Sequence, residues 1–536
     1  MAADAERGSR ASRDALGLTL ILVVALAVRA FAWSRTAVMF NDGPIFLAMA
    51  EAIGEGRWAE VLAHPYPPLY PALIAFVAVF SVELETAALT VSILGGLLGV
   101  AAVFWFVRDA FGDEVAWLAA WIVALHPWAV DFSADVMSDG LYTGLFLVGF
   151  VAMARAVDHP NLKDALGCGL ASGLAYLVRP EGAGLLVAGV FLLAWRGWVD
   201  RAQRGRVVRG CAVLLLAGAV VIVPFVVAVG QQTGEFVLTQ KKSISNLVGM
   251  PSRVGVPAGQ KSASRRVEQF SSSLPLPEWA VRSDGLASSR PPRSWAGFLE
   301  AIVRVGATSL AAFRFELVPF VILGLWASRG NRRPWREAIL GLPILLYSGL
   351  LVLLVWGVGY VSRRHALAPW LPVIGLSALG WHFLCTVLAG WDSGRGGSLL
   401  ARLRTPRAIA LALVVVLMIS WGARDLRPRR HVRAPVRAAA EWLAQNHPNS
   451  GPVAAQKLRT AYYAGARFVP LQPGHDGLLA EYLGRRAARW VVIDDTKLDD
   501  HLGLEEGIGR WLHRVHVVPS EGRNILVLAI VAEPAS

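Results

Sequence analysis

Long runs of apolar residues recur along the chain from near its amino terminus to about residue 423. A helix needs roughly 20 mostly apolar residues to cross a bilayer. The pattern therefore predicts a polytopic α-helical membrane protein with about 11–13 spans, for eleven of which approximate bounds can be given. The eleven predicted spans are 15–33, 87–107, 114–131, 138–154, 164–179, 181–196, 210–230, 305–327, 337–357, 367–390 and 407–423.

Short arginine-rich loops between these runs predict the orientation in the membrane, because short loops that stay cytoplasmic carry an excess of Arg and Lys. The arginines concerned are Arg7, Arg10, Arg13, Arg196, Arg201, Arg204, Arg206, Arg209, Arg329, Arg332, Arg333, Arg336, Arg395, Arg402, Arg404 and Arg407. With these inside, the amino terminus is cytoplasmic. The segments predicted to face the outside are 34–86, 132–137, 231–300, 358–366 and everything after 424.

The first outer loop has a pattern of its own. Ile45, Met49 and Ile53 recur at a spacing of four residues, which predicts a short amphipathic helix lying on the membrane surface. A plain soluble loop is the alternative. The apolar stretch 68–82 is short for a span and is interrupted by Pro71, so we predict a membrane-embedded segment of the same loop.

The region after residue 424 differs from the rest of the chain. The sequences APVRAAAEWLAQ, DGLLAEYLGRRAA and EGIGRWLHRV predict helices, whereas GPVAAQ, RWVVIDD and NILVLAIV predict strands. Alternating helices and strands over this length are typical of a small α/β domain. We therefore predict a transmembrane domain over 1–423 and an extracytoplasmic α/β domain over 424–536.

Composition agrees with a membrane protein. Of the 536 residues, 55% are hydrophobic and only 17% are charged, whereas about a quarter of the residues of a soluble protein are charged. The net charge of +13 lies mostly in clusters between apolar runs. That is the membrane-protein pattern, so the charge does not indicate nucleic-acid binding.

Several chemical signatures are missing from the sequence. It contains no GxxxxGK[ST], HExxH or GxSxG motif, so no nucleotide is implied. The glycines between Gly167 and Gly173 lie inside a predicted span, and their small-xxx-small spacing favours helix packing over a dinucleotide loop. Cys168, Cys211 and Cys385 lie in apolar runs without CxxC spacing, which favours buried thiols.

Acidic residues at the predicted outer ends of spans are the first candidates for chemistry. Asp42 directly precedes the predicted loop helix, where a helix N-cap is the alternative role. Asp131, Asp135 and Asp139 are spaced by four residues and would share one face of a helix. Asp139 also follows Ser138 at the start of a span, where capping is again the alternative. Carboxylates at a membrane boundary are costly and hence candidates for function.

Cations at the predicted outer ends of spans are the second group of candidates for chemistry. Arg179 lies in LVRPEG, and Arg363, Arg364 and His365 lie in VSRRHALAP. The charge rule disfavours cations on this side, so their placement indicates an anion such as phosphate, which guanidinium groups bind bidentately. Snorkelling to lipid phosphates is the alternative. Acids and cations on one side suit group transfer from a phosphate leaving group to a hydroxyl.

The motifs resemble the GT-C superfamily of integral-membrane glycosyltransferases, over roughly residues 15–425. The similarity is greatest to the bacterial branch that is ArnT-like, protein-mannosyltransferase-like and RgtA/B/C/D-like. The matching segments are NDGPIFLAMAEAIGEGRWAEVLAHPYPPLYPALIAF, HPWAVDFSADVMSDGLYTGLFL and GLASGLAYLVRPEG. The resemblance implies a GT-C fold and transfer of a sugar from a polyprenyl-phosphate donor. The acceptor would be a lipid, glycan or protein on the outer face of a bacterial inner membrane.

The resemblance also implies roles for individual residues. Asp42 would be the catalytic base, and Arg179 would bind the donor phosphate. Asp139, in the second acidic motif, would be a further residue of the catalytic site that orients Asp42 or the acceptor or helps to hold a metal. Many relatives have Lys where this chain has Tyr66 in YPPLY, so the phosphate would be bound from elsewhere. The remaining candidates for the donor phosphate are His64, Tyr66, Arg363 and Arg364, and the accessory candidates are Asp135, Glu181 and His365.

A metal and a rival function stay open at this stage. Relatives with a second acid after Asp42 have an acidic pair, but Gly43 stands there in this chain, so a divalent metal is only one option. The rival function is a secondary transporter or lipid-linked sugar flippase that uses the acids at 131, 135 and 139 as a proton relay. A purely structural membrane protein is a third option, although it gives no reason for the outer cations.

Overall fold

The computed structural model describes residues 2–80, 82–234, 294–331, 334–390, 427–471, 479–499 and 501–531, with short stretches at 236, 238–239, 412, 415–416 and 419–424. The chain divides into two compact units. Unit 1 comprises Met1–Trp33, Met49–Gly255 and Glu278–Leu426, and unit 2 comprises Ser34–Ala48, Val256–Pro277 and Arg427–Ser536. Ser34–Ala48 thus groups with the carboxyl-terminal region, although the sequence places it in a loop of the predicted membrane domain.

Long apolar helices make up unit 1. Among the described residues, eight helices are long and apolar enough to cross a membrane, or nine if one bent pair counts as a single span. The helices of the chain up to residue 390 are α1 Ala2–Ser34, α2 Gly43–Gly54, α3 Trp58–Ala63, α4 Leu69–Ala78, α5 Leu84–Phe111, α6 Asp113–Leu125, α7 Pro127–Ser133, α8 Asp139–Asp158, α9 Leu162–Val178, α10 Gly184–Val199, α11 Arg204–Thr233, α12 Trp295–Phe313, α13 Val318–Ala327, α14 Pro334–Val358, α15 Arg363–Trp370 and α16 Ile374–Gly390.

The predicted span 114–131 is not one straight helix. It bends by 56° between α6 and α7. His126 has an extended backbone at the bend, as expected for a residue that precedes a proline, here Pro127. The His126 ring accepts a hydrogen bond from the Ala129 N–H at 3.3 Å and so caps α7. The proline that breaks the helix was visible in the sequence, but its effect on the span was not predicted.

The predicted span 305–327 is also broken. Helix α12 ends at Phe313, and α13 begins at Val318. Arg314 between them has a positive φ of 75°, which no α-helix accommodates. Two predicted spans, 114–131 and 305–327, are therefore broken at positions that hydropathy does not predict.

The helix predicted in the first outer loop is present, but its surroundings differ from the prediction. The loop helix is present as α2, but its apolar residues are buried in the protein, with Ile45, Phe46 and Met49 at most 3% exposed. The surface position predicted for it is therefore wrong. The stretch 68–82 contains α4, a ten-residue apolar helix. Most of the predicted span 407–423 and of the outer loop 231–300 lies outside the described residues.

Glycines bring several helices into close contact. An added Cβ at Gly144 on α8 would overlap the Gly95 carbonyl oxygen on α5, and one at Gly95 would overlap the backbone of α8. Gly169 and Gly173 on α9 meet α11 in the same way. The packing role predicted for these two glycines from their spacing is therefore confirmed.

Unit 2 contains a five-stranded mixed sheet in the order β2-β1-β3-β5-β4. The strands are β1 Val453–Ala455, β2 Phe468–Pro470, β3 Trp490–Asp494, β4 Leu512–Ser520 and β5 Arg523–Ile530. The helices of this region are α17 Ala434–Asn446, α18 Leu458–Tyr463, α19 Leu479–Arg485 and α20 Leu502–Gly507. β1 pairs in parallel with β2 and β3, whereas β5 pairs antiparallel with β3 and β4.

Two apolar clusters pack against this sheet. One includes Leu483, Val491 and Leu528, and the other includes Leu443 and Val527. Val491 and Val492 are adjacent on β3 and belong to different clusters, as expected for a strand with both faces covered.

One predicted element of this region is wrong. EGIGRWLHRV was predicted as a helix, but the helix ends at Gly507 and β4 begins at Leu512. Gly509 between them has a φ of 86°, which ends the helical path. Helix α18 and strand β2 were not predicted, because each is very short.

We predict that Gly144→Ala lowers the melting temperature of the purified protein. The new methyl group would overlap a backbone oxygen of α5 that cannot move independently, and overpacking costs about 1–3 kcal/mol. The control is Gly306→Ala on α12, because a Cβ there meets no atom within 4 Å. The control should keep or raise the melting temperature. Equal melting temperatures for both variants would contradict the close packing of α5 on α8.

Candidate active site

The start of α8 places Asp139 inside unit 1. Asp139 is only 3% exposed. It is the first residue of the helix and follows Ser138, whose side chain makes no capping hydrogen bond. The Asp139 carboxylate accepts a hydrogen bond from the Arg179 guanidinium. Its main side-chain interaction is thus an ion pair rather than a helix cap.

The three aspartates at four-residue spacing do not share a helix face. Helix α7 ends at Ser133, and residues 134–138 are not helical before α8 begins at Asp139. Asp135 is 1% exposed, and its Oδ1 accepts a hydrogen bond from the Val136 N–H at 2.8 Å. The prediction of one acidic face is wrong. The proton-relay argument for a transporter loses its geometric basis.

The end of α9 places Arg179 against Asp139. Pro180 follows Arg179, whose backbone is extended and so ends the helix. The Arg179 side chain is buried, its Nη2 lies 3.6 Å from a Glu181 carboxylate oxygen, and its guanidinium carbon lies 5.3 Å from the centre of the Tyr142 ring. Its Nε has no hydrogen-bond partner among the described residues. Arg179 therefore contacts Asp139, Glu181 and Tyr142, while its buried Nε has no hydrogen-bond partner there.

Two tyrosines and a histidine complete this cluster. Tyr142 lies three residues after Asp139 on α8, and the Tyr347 hydroxyl from α14 donates to the Glu181 carbonyl oxygen at 2.7 Å. Tyr142, Arg179, Glu181, Tyr347 and His365 line one small cavity. Neither tyrosine was predicted from the sequence. The position of Tyr142 one turn after an acid was an available signal, whereas Tyr347 lies in an ordinary apolar run.

Arg363 and Arg364, which were predicted at an outer span end, lie at the start of α15. The guanidinium carbon of Arg363 lies 4.4 Å from the centre of the Trp128 ring, and that of Arg424 lies 4.0 Å from the same ring. Arg363 therefore belongs to an aromatic and cationic group around Trp128. Arg364 follows it in the first turn of α15.

His64 and Tyr66 are buried next to each other in unit 1. They are 5% and 8% exposed. The Tyr66 N–H donates to the His64 Nδ1 at 3.2 Å, and the two rings stack with centres 5.3 Å apart. Tyr66 is thus part of an aromatic pair with His64.

One further buried arginine was not predicted as a site residue. Arg29 of α1 is fully buried. Its Nε donates to the Ser133 hydroxyl at 2.8 Å, and its Nη1 donates to the carbonyl oxygens of Ala25 and Ala124 at 3.0 Å. The signal was an arginine inside the first apolar run, which is costly unless paired. Its contacts fix the end of α7 near the start of α8.

Asp42 belongs to unit 2. It is half-buried and directly precedes α2, and its carbonyl oxygen accepts hydrogen bonds from the Ile45 and Phe46 N–H groups at 3.1 and 3.3 Å. It thus occupies the N-cap position. Within the parts of the chain that the structure describes, no group of three or more His, Cys, Asp or Glu side chains is arranged to hold a metal ion.

Known proteins with a similar sequence segment or a similar fold include membrane glycosyltransferases. Residues 64–227 match the family model described as dolichyl-phosphate-mannose-protein mannosyltransferase. The structure of ArnT from Cupriavidus metallidurans bound to undecaprenyl phosphate superposes with a TM-score of 0.58 at 16% identity, covering 97% of this chain and 98% of that one. This chain has the GT-C fold. The fold that the sequence motifs implied is confirmed, and the chain is a multi-pass membrane protein.

A second solved structure supports the same conclusion. The oligosaccharyltransferase AglB from Archaeoglobus fulgidus, in complex with an inhibitory peptide and a dolichol-phosphate, has a TM-score of 0.55 at 13% identity. That likeness covers 96% of this chain and 74% of the other. No curated protein sequence matches the chain. The matched family segment contains YPPLY, Asp139 and Arg179, so two of the motifs that carried the resemblance lie within it.

We predict that Asp139 and Arg179 are strongly coupled in stability. Removing one partner of a buried ion pair leaves an uncompensated charge and typically costs about 3–5 kcal/mol. Arg179→Met and Asp139→Asn should each lower the melting temperature, and the double variant should lower it by clearly less than the sum. Arg485→Met and Glu481→Gln, an exposed pair on α19, are the matched control and should change little. Additive effects at the buried pair would contradict the coupling.

Proposed function

We propose that this chain is a membrane glycosyltransferase that moves a sugar from a polyprenyl-phosphate donor to an acceptor hydroxyl. The observation that carries the proposal is Arg179. Its buried guanidinium is oriented by Asp139 and retains an unused Nε donor among the described residues. A buried donor without a partner is costly. A phosphate oxygen would satisfy it with a strong, charge-assisted hydrogen bond.

The class of donor follows from the fold and its neighbours. The ArnT neighbour is bound to undecaprenyl phosphate, and the AglB neighbour to a dolichol-phosphate. The matched family model is named for a dolichyl-phosphate-linked donor. These neighbours support a lipid-phosphate-linked sugar as the donor. The proposal extends to a hydroxyl-bearing lipid, glycan or protein as the acceptor.

The reaction we propose is a single displacement at the anomeric carbon. Asp42 takes the proton of the acceptor hydroxyl, whose oxygen forms a bond to the anomeric carbon. The bond from that carbon to the phosphate oxygen breaks, and the polyprenyl phosphate leaves with the bonding electron pair. Attack opposite the leaving group inverts the anomeric configuration. Arg179 stabilises the charge that develops on the phosphate.

The other candidate residues support these two groups. Asp139 orients Arg179, and Arg364 adds positive charge for the donor phosphate. His64, Tyr66 and Arg363 remain further candidates for donor contacts, and Asp135, Glu181 and His365 remain accessory candidates. The active site would face the extracytoplasmic side of a bacterial inner membrane, because the short arginine-rich loops would then be cytoplasmic.

The proposal is tested by incubating the purified protein with a synthetic polyprenyl-phosphate sugar and measuring release of polyprenyl phosphate. Arg179→Lys keeps the charge but loses the planar fork, so we expect the KM for the donor to rise about tenfold. Asp42→Asn should lower kcat by about 10²–10⁴-fold, because an amide cannot accept the proton.

The matched control is Arg206→Lys, an exposed arginine of α11 in the predicted cytoplasmic loop. It should leave both kinetic constants unchanged. No release of polyprenyl phosphate by the wild type with any of a panel of lipid-linked sugars would overturn the proposed function. An unchanged donor KM in Arg179→Lys would remove Arg179 from the donor site.

The predicted orientation has its own test. Glu55→Cys and Glu481→Cys, at exposed positions, should react with an impermeant thiol reagent in intact spheroplasts, in a background without the native cysteines. Ala202→Cys, also exposed, should react only after the membrane is opened. Labelling of Ala202→Cys but not Glu481→Cys in intact cells would reverse the orientation.

A further inference from the structure

The segment that leads to Asp42 is held by the carboxyl-terminal region of unit 2. After α1 ends at Ser34, residues 35–39 form no helix of their own. Thr36 forms a parallel bridge with Arg429. The Ala37 N–H donates to the Arg429 carbonyl oxygen at 3.0 Å, and the Arg429 N–H donates to the Arg35 carbonyl oxygen at 2.8 Å. The segment is thus paired like a strand with a distant part of the chain.

Helix α18 binds both backbone groups of Met39. The Met39 N–H donates to the Tyr463 hydroxyl oxygen at 2.9 Å. The Met39 carbonyl oxygen accepts a hydrogen bond from the Arg459 guanidinium at 3.3 Å. Arg459 is only 5% exposed, and Met39 is fully buried. A residue bonded through both its N–H and its C=O to one short helix has little freedom to rotate.

Two more arginines complete the contact, which we call the clamp: Arg430, Arg437, Arg459 and Tyr463. Arg430 donates to the Val38 carbonyl oxygen at 2.6 Å, and Arg437 donates to the Ala37 carbonyl oxygen at 3.1 Å.

The clamp residues also contact one another and a nearby acid. Arg437 pairs with Glu441 at 2.7 Å, and its guanidinium carbon lies 4.5 Å from the centre of the Tyr463 ring. Hydrogen bonds from charged donors are about twice as strong as neutral ones. The three arginine hydrogen bonds of the clamp therefore hold residues 37–39 more strongly than neutral donors would.

Only a tight turn separates the clamp from Asp42. The Gly43 N–H donates to the Phe40 carbonyl oxygen at 3.0 Å, and the Arg430 guanidinium carbon lies 5.6 Å from the centre of the Phe40 ring. Asp42 then bonds through its own carbonyl oxygen to the first turn of α2. The backbone of Asp42 is thus fixed on one side by the clamp and on the other by a helix.

We propose that Arg459 and Tyr463 are positioning residues for Asp42, and that holding this segment is a function of the carboxyl-terminal α/β region. The inference rests on the proposed function in that Asp42 is the base. A base must lie within hydrogen-bond reach of the proton that it removes. A misplacement of about 1 Å can cost about 10²-fold in rate. The clamp therefore acts on kcat through the backbone of Asp42.

Two clamp variants test the proposal, each with a matched control from the same region. Tyr463→Phe removes only the hydroxyl that accepts from Met39, and Arg459→Met removes the guanidinium. Tyr482→Phe and Arg467→Met are the controls, because each also loses one hydrogen bond with a backbone group, here the carbonyl oxygen of Pro470 or Arg486, away from residues 35–42. Because Arg459→Met is the more disruptive change, Tyr463→Phe keeps the test valid if that variant does not fold.

We expect the clamp variants to lower kcat about 10-fold to 100-fold while the donor KM stays within about twofold. Amide hydrogen exchange over residues 37–46 should become faster in the clamp variants but not in the controls. Arg459→Lys, which keeps a charged donor, should recover part of kcat. Clamp and control variants with equal kcat, or equal exchange over 37–46, would overturn the proposal.

A double-variant cycle separates positioning from general loss of stability. In an Asp42→Asn background, Tyr463→Phe should cause no further loss of the residual rate, because the group that it positions is gone. A full, multiplicative loss would show a role unrelated to Asp42. A wild type without transfer overturns the proposed function and this role with it. An active wild type with unaffected clamp variants overturns the positioning role alone.

Discussion

The buried ion pair between Arg179 and Asp139 is the constraint around which unit 1 is organised. Charges removed from water are costly unless they are paired and hydrogen-bonded. The pair joins the end of α9 to the start of α8, and the close packing of α8 on α5 through Gly95 and Gly144 fixes that start. An arginine that the charge rule predicts on the outer side, where that rule disfavours cations, is thus stable because its partner is fixed on the neighbouring helix.

Hydropathy predicted where apolar helices occur but not where they break. A run of apolar residues reports the free energy of burial, which is the same for a straight helix and a bent one. The bend at His126 depends on the proline that follows, and the break at Arg314 on a positive φ with no sequence signal. The prediction that Asp131, Asp135 and Asp139 share a face assumed a continuous helix, which the structure lacks at residues 134–138. Asp139 and Arg179 were found because their charge contrasts with their setting, whereas Tyr142 and Tyr347 look like ordinary apolar residues.

In the carboxyl-terminal region, too, the sequence predicted elements better than the contacts between distant parts of the chain. Its longer apolar strands were predictable, but the glycine at 509 turned a predicted helix into the start of β4. The contacts of Arg430, Arg437 and Arg459 with residues 37–39 join parts of the chain about 400 positions apart. Nothing local distinguishes these arginines from the many others of a chain that contains 52 Lys and Arg residues. Side chains that bind backbone atoms leave no complementary residue to find in the sequence.

The charge balance around Arg179 explains why one arginine does not by itself make a phosphate site. Arg179 faces two carboxylates, Asp139 in direct contact and Glu181 at 3.6 Å, so these three groups together carry more negative than positive charge. Such a cluster repels an anion unless another cation compensates. In the proposed reaction that compensation would come from Arg364, near the start of α15. The residue before PPLY is Tyr66, which carries no positive charge. The donor phosphate of the proposed reaction would therefore depend on Arg179, directly after α9, and on Arg364 of α15 rather than on residue 66.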